Sequence, residues 1–460
     1  MTPELSKFAA QLRRFIGLHS SQPAFGVHAS ACASLLQPEG WTPNGPGGDG
    51  APPSRVAEAP PSSAAVAPPS SDAEFAELAR ELFALQFRHN APYRRFCEAR
   101  RASPQTVADW RGIPAIPTAA FKELELSCLP VEKRTTVFHS SGTTGQNPSR
   151  HYHSAESLEL YEASLLPWFR AHVLSDLPFQ FVGADVRRLT STRNAEHGTR
   201  NNEQNLLTSS PTWRFVCLAP PPVQVPHSSL VHMFETVRWE FGAEDSHFFG
   251  RTEAEGAWRL DLDAVTRALR KVCDTDCPVV LLGTAFSFVH LLDHLGESRL
   301  GFKLPSGSRA METGGYKGRS RSLSKAELHA LITRRLGIPP SHIICEYGMS
   351  ELSSQAYDRM AGDEWRVTGD AARHSSPVTR HFHFPPWARA QIVSPETGRE
   401  VAEGETGLIR VFDLANVFSA MAIQTEDLGV RRGDGFELLG RVALAEPRGC
   451  SLMSVETSNR

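Results

Sequence analysis

The amino-acid sequence predicts an α/β fold: layered, largely parallel buried sheet and helices, with a small antiparallel β subdomain attached. Three observations predict it. Short apolar runs bounded by turn residues alternate with amphipathic segments through the middle of the chain. After about residue 376 the texture changes to alternating patterns and turns such as "SPETG". The length, 460 residues at 40% apolar and 22% charged content, suffices for a large core divided into more than one unit.

The first segment, residues 1–37, opens with "MTPELSKFAAQLRRFIGLHSS", which reads as an amphipathic helix carrying Arg13 and Arg14. It has neither the long apolar run nor the small-residue cleavage site of a secretory leader. Residues 38–71 are dense in Pro, Gly, Ser and Ala, a composition that cannot offset chain entropy, and are expected to form a disordered linker. At Ser71 a Ser-x-x-Glu capping box is followed by Phe75, Leu78, Leu82 and Leu85 at helical spacing, so the main α/β unit is expected over 72–375. Within it, "PVVLLGTAFSFVHLLDHL" joins a buried strand to a helix through Gly283. "SKAELHALITRRLG" reads as a helix closed by Gly337, and "HIICEYG" as a strand. The antiparallel subdomain is expected over 376–430, and 431–460 form a short C-terminal segment.

Charge and cysteine usage narrow the class. A net charge of -3 supplies no basic face for nucleic acid. No apolar stretch approaches the roughly 20 residues of a membrane span. The eight cysteines are scattered without a disulfide framework or a C-x-x-C pair, which predicts reduced thiols and a cytoplasmic protein. Cys273 and Cys277 read as incidental.

The chemistry concentrates in "HSSGTTGQNPSR", residues 139–150, after the strand-like "TTVF" and before the helix-like "SAESLELYEASLL". Ser, Thr and Gly expose backbone N–H groups and hydroxyl donors without bulk, as an anion such as a triphosphate needs; a plain surface turn has the same composition. It is not a P-loop, because Lys and Ser/Thr are missing where that motif needs them. No G-x-G-x-x-G follows a strand, and "GMSEL" has Leu352 where a nucleophile elbow needs glycine. Downstream, "METGGYKGRSR" clusters Gly314, Gly315 and Gly318, and "CEYGMSEL" sets Tyr347, Gly348 and Glu351 at the end of a strand, where open α/β sheets bind ligands. An aromatic ring there suits a base and a carboxylate suits Mg²⁺, although each residue alone also reads as core or surface.

Taken in order, "SSGTTG", the Gly-Gly segment, "YGMSE", "TEDLG" and "GDGFELLGR" resemble the adenylate-forming enzymes, which include acyl-CoA synthetases, adenylation domains and luciferases. More narrowly, "IPTAAFKELEL", "FHSSGTTGQNPS", "LLGTAFSFVHLLD", "ETGGYKGRSR", "FDLANVFSAMAIQTEDLG" and "RGCSL" are similar to the acyl-protein synthetase branch, the LuxE-type long-chain fatty acid ligases, over residues 72 to 455. The resemblance implies an adenylate-forming N-terminal domain, with Ser140, Ser141, Gly142, Thr143, Thr144 and Gly145 as the triphosphate loop. Thr143 in that loop would stabilise phosphate charge. Gly315, Tyr347 and Gly348 would border the adenine pocket. Glu351 would be the Mg²⁺ ligand, Asp427 the acceptor for the ribose hydroxyls, and Arg441 a contact near ribose or phosphate. Cys450, near Arg441 and Arg448, matches the family's acyl-carrying cysteine, and neighbouring cations favour its thiolate.

Two departures stand out. The superfamily's Pro-Lys ending of the loop reads Pro148-Ser149-Arg150 here, and the C-terminal lid domain with its lysine is expected to be largely absent. The implied reaction uses ATP and Mg²⁺ to activate a carboxylic, by resemblance fatty, acid as an acyl adenylate. The acyl group then passes to a cysteine thiol and on to a partner such as an acyl reductase, acyltransferase or carrier protein. Two alternatives stay open: an acid–CoA or acid–amine ligase, and a nucleotide-binding scaffold without catalysis. His290, His381 and His383 are weaker candidates for bases, since a surface or satisfied histidine reads equally well.

Overall fold

The structure, a computed structural model, describes residues 2–20, 71–140, 147–174, 213–253, 257–314, 323–360 and 380–441. The chain starts with α1 (Pro3–Ser20), α2 (Ser71–His89) and α3 (Ala91–Ala99), followed by β1 (Ile116–Pro117) and the short α4 (Ala120–Glu123). An antiparallel hairpin of β2 (Thr136–His139) and β3 (Arg150–His153) precedes α5 (Ala155–Val173), which a Ser154–Ser157 capping box starts. The expected linker, up to residue 70, lies outside the described residues.

Next come β4 (Arg214–Leu218), α6 (Ser229–Phe241), β5 (His247–Phe248), the small hairpin β6 (Gly250–Thr252) and β7 (Trp258–Leu260), and α7 (Leu262–Cys273). After them β8 (Val279–Thr284) leads into α8 (Ala285–Glu297), and β9 (Arg309–Thr313) precedes α9 (Lys325–Leu336) and β10 (Ile343–Tyr347). Thr284 caps α8, and Gly337 ends α9 in the left-handed conformation at φ 71°, so the expected strand-to-helix step into α8 and the glycine-closed helix α9 both hold.

Strands β4, β5, β8, β9 and β10 are parallel neighbours, in the order β10-β9-β8-β4-β5. They read as near-continuous apolar runs because both faces are covered. Val216, Leu218, Val279, Leu281, Ala310 and Ile343 pack with α7, α8 and α9. Their alternating neighbours Phe215, Cys217, Val280, Leu282, Met311 and Ile344 pack with α5 and α6 on the other side.

The antiparallel strands are β11 (Ala356–Met360), β12 (Arg380–His383), β13 (Ala388–Val393), β14 (Thr406–Asp413), β15 (Ala422–Arg432) and β16 (Gly435–Arg441). They continue the same sheet rather than forming a separate one. Strand β11 pairs antiparallel with β10, and the order runs on through β12-β16-β15-β14-β13, with β1 beside β15. Among the described residues this is one twelve-stranded sheet. It crosses residue 430 without a break, and its antiparallel part starts at Ala356, earlier than the change of texture at 376.

Helix α1 is part of the main core. Leu5, Phe8, Ala9, Leu12, Phe15 and Ile16 form its buried face, packed with α2 and the antiparallel end of the sheet. Ser6 Oγ donates to Glu156 at 3.0 Å, Arg13 pairs with Glu159 at 2.9 Å, and Glu4 accepts from Arg88 at 2.6 Å. No described helix is long and apolar enough to cross a membrane. Replacing Phe8, 1% exposed, by Ala should lower the unfolding free energy by about 3–5 kcal/mol in urea titrations. A loss below about 1 kcal/mol would show that α1 does not share the core.

Candidate active site

The site assembles where the carboxyl ends of β9 and β10 meet the β2–β3 hairpin. Residues 140 and 147–149 are the described flanks of the hydroxyl-rich loop; residues 141–146, and with them Ser141, Gly142, Thr143, Thr144 and Gly145, lie outside the described residues. The flanks are tied together by the Ser149 N–H, which donates to Ser140 Oγ at 3.0 Å. They are also tied to the sheet, since Ser149 Oγ and Ser350 Oγ are 3.4 Å apart and Ser350 Oγ donates to Glu351 Oε2 at 3.0 Å. Loop root and tyrosine-glycine-glutamate corner therefore meet in one hydroxyl–carboxylate run.

Two buried histidines of β3, His151 and His153, lie at this junction. His151 lies with Nδ1 2.8 Å from the Ser350 carbonyl, and because a carbonyl only accepts, Nδ1 carries the proton. The His153 ring is 4.3 Å from that of His151, and its Nδ1 lies 3.2 Å from Ser157 Oγ. Burial pushes the His151 pKa down to about 4 and that of His153 well below the usual range. On the opposite side His227, from the loop after β4, reaches the Val137 carbonyl at 3.0 Å and stacks near His139, ring centroids 4.6 Å apart.

The connection between β10 and β11 is buried almost throughout: Ser350, Glu351, Leu352, Ser353, Ser354 and Gln355 are each at most 6% exposed. Glu351 keeps its side chain beside Ser350, and its carbonyl accepts from Asn416 Nδ2 at 2.7 Å. Among the described residues there is no cluster of three or more His, Cys, Asp or Glu suited to a metal. A single carboxylate still fits Mg²⁺, which is usually held by one or two carboxylates with phosphates and waters completing its shell.

Tyr347 donates its hydroxyl to Asp427 Oδ2 at 3.0 Å, and Arg441 Nε donates to Asp427 Oδ1 at 3.3 Å. Asp427 and Arg441 are cross-strand partners of β15 and β16, so "TEDLG" lies in a strand, not in a turn. The Tyr347 ring is buried against Phe382, Phe384 and Phe436, with centroids 5.3–6.2 Å away. A Cβ at Gly348 would displace the Glu346 carboxylate. Glu346 accepts from Thr313 Oγ1, and burial pushes its pKa up to about 7. Thr313 precedes Gly314, which takes φ 71°; Gly315 lies outside the described residues.

The remaining candidates do not converge here. His290 is exposed on α8 against Phe286, and His383 pairs with Asp434 at 3.3 Å. Cys273, Cys277 and the buried Cys345 form no disulfide among the described residues, and Cys450 lies outside the described residues. Arg150 reaches the Lys122 carbonyl at 3.4 Å. Ser149, His151 and Ser350 were not singled out as site residues from the sequence; the neighbouring serine and histidine in "PSRHYH" are the signal that was there to read.

The fold that carries this sheet edge is shared with solved adenylate-forming ligases. A 2-hydroxyisobutyryl-CoA ligase solved in the postadenylation state with 2-HIB-AMP superposes with a TM-score of 0.54 at 12% identity, over 81% of this chain and 68% of that one. The chain spans about half, 49%, of the ATP-bound RpMatB-BxBclM chimera B3, with a TM-score of 0.40 and 16% identity over 68% of this chain. The family of acyl-protein synthetases, LuxE, matches residues 240–457 of this chain. The long-chain-fatty-acid–luciferin-component ligase of Aliivibrio fischeri is 23% identical over 82% of this chain and 86% of its own length. That of Vibrio harveyi is 22% identical with the same coverage.

The buried histidines give the junction a pH dependence of definite sign. A histidine whose folded pKa lies below its unfolded value, about 6.5, favours folding when neutral. Stability is therefore complete above about pH 6.5 and falls as pH drops toward about 4, the folded value for His151. Urea titrations between pH 7.5 and 4.5 should show this fall, and His151→Gln should flatten it. An unchanged slope in the variant would assign the acid sensitivity elsewhere.

Proposed function

We propose that this protein is an ATP-dependent acyl-protein synthetase. It activates a carboxylic acid, a long-chain fatty acid in its named relatives, as an acyl adenylate and then transfers the acyl group to a protein thiol. The observation that supports the reading is the Ser140–Ser149–Ser350–Glu351 run, because it joins the described flanks of the hydroxyl-rich loop to the Glu351 carboxylate at the carboxyl edge of the sheet. The family likeness supplies the substrate class.

On this reading a carboxylate oxygen of the acid attacks the α-phosphorus of ATP, the bond to the bridging oxygen breaks, and pyrophosphate leaves. The loop's N–H groups and hydroxyls, Thr143 among them, hold the phosphate oxygens as charge builds there. Glu351 is the residue that would hold Mg²⁺, which neutralises phosphate charge when bound. Asp427, oriented by Tyr347 and Arg441, has acceptor positions left for the ribose hydroxyls. Gly315 and Gly348 leave room for the base, and Ser149 occupies the position where the superfamily carries a lysine, with the cation supplied by Arg150 one residue on.

In the second step a thiolate, that of Cys450, attacks the mixed anhydride carbon, forming a thioester and releasing AMP. An acyl reductase, acyltransferase or carrier protein would then accept the group. Fatty-acid-dependent ATP–pyrophosphate exchange tests the first step, and Glu351→Gln should reduce it on the order of 100-fold. Cys450→Ala separates the steps: exchange should persist while hydroxylamine-labile acyl label on the protein disappears. Label that survives would remove Cys450, thioester formed only on added coenzyme A would favour a CoA ligase, and ATP binding without exchange for any acid would favour an inactive scaffold.

A further inference from the structure

The stretch "FDLANVFSAMAIQTEDLG" contributes Asp427 to the proposed site, whereas its first half lies away from any proposed ligand contact. In the fold this half is the end of β14 and the turn into β15, and it is buried: Asp413 is 0% exposed and Asn416 1%. Its polar groups are directed at the β10–β11 connection. Asp413 Oδ2 accepts from the N–H groups of Ser353 and Ser354, each at 2.8 Å. Asp413 Oδ1 accepts from Ser354 Oγ at 2.7 Å and from the Ala415 N–H at 3.0 Å.

Four donors fill the roughly four lone-pair positions of a carboxylate, so Asp413 has none left for a ligand. Asn416 completes the grip. Its Nδ2 donates to the Glu351 carbonyl at 2.7 Å and to the Ala420 carbonyl at 3.1 Å, while Oδ1 accepts from Ser353 Oγ at 2.6 Å. The turn is backed by α2, where Gln86 Nε2 donates to the Asn416 carbonyl at 2.7 Å and Gln86 Oε1 accepts from the Met421 N–H at 3.0 Å.

We infer that Asp413 and Asn416 are positioning residues: they clamp residues 351–354 by backbone and side chain and thereby fix where the Glu351 carboxylate points. The inference rests on the proposed reading of Glu351 as the Mg²⁺ ligand. A clamp of this kind acts on the metal requirement rather than on the chemistry directly. When the Glu351 carbonyl loses its donor, the segment relaxes to find water, and the carboxylate samples positions unsuited to the ion.

The test compares Asn416→Ala with Ser419→Ala, which removes a bond of the same turn, from Ser419 Oγ to the Leu126 carbonyl at 2.7 Å, without touching Glu351. Asn416→Ala should raise the Mg²⁺ concentration for half-maximal fatty-acid-dependent ATP–pyrophosphate exchange about tenfold, with activity recovered at high Mg²⁺. It should also speed amide hydrogen exchange over residues 349–354. Ser419→Ala should leave the Mg²⁺ requirement and that protection unchanged. If Asn416→Ala does not fold, Ser353→Ala, which removes only the hydroxyl orienting Asn416, should give a smaller shift of about threefold. Unchanged protection of 349–354 in the folded variant overturns the clamp whether or not exchange is seen. An unchanged Mg²⁺ requirement in an active protein overturns it as well. Wild-type protein without acid-dependent exchange overturns the functional reading instead, and amide protection still decides the clamp.

Discussion

The structure depends on one constraint, that the connection from β10 to β11 runs through the interior. A loop in the interior has no water for its polar groups, so each must find a partner within the fold. Here the partners come from far along the chain: Ser149 and His151 of the hairpin, Asp413 and Asn416 of the β14–β15 turn, and Tyr161, whose hydroxyl lies 3.2 Å from Gln355 Nε2. Satisfying the loop is what draws the hairpin, the antiparallel strands and α5 to one place. The Glu351 carboxylate, the proposed metal ligand, is thus held by the same bonds that make its burial tolerable.

The sheet explains why this place lies at the middle of the molecule. Strand β10 is parallel to β9 on one side and antiparallel to β11 on the other, so it is the seam between two ways of pairing. The parallel part delivers strand ends, with Thr313 and Tyr347 at the same edge. The antiparallel part delivers Asp427 and Arg441 from a ribbon that needs no crossover helix. Neither part alone provides both an open edge and a paired acid.

Local signals made much of this legible. Helical spacing marks α2 and α8, spacing with a closing glycine marks α9, and apolar runs bounded by turns mark β8 and β10, because those signals are written in adjacent residues. Tyr347, Glu351 and Asp427 stood out through motif order. What could not be read was long-range pairing: Ser149 meets Ser350 across 201 residues, and Gln86 reaches Asn416 across 330. The docking of α1 was hidden for the same reason, since amphipathicity reports an apolar face but not what covers it. The continuity of the sheet was hidden too, because a strand's pattern is the same whether its neighbour belongs to the parallel part or to the ribbon.

The docking of α1 also bears on how the protein is made. Its apolar face is completed by α2 and by α5, which ends at Val173, so residues 3–20 leave the ribosome long before their partners. At translation rates of about 5–20 residues per second, the interval until α5 is complete is about 8–30 s. During it Phe8, Leu12 and Phe15 are a hydrophobic stripe with nothing to cover them. The nascent chain is thus a natural client for chaperones that shield apolar segments, and its yield in a heterologous host would depend on their supply.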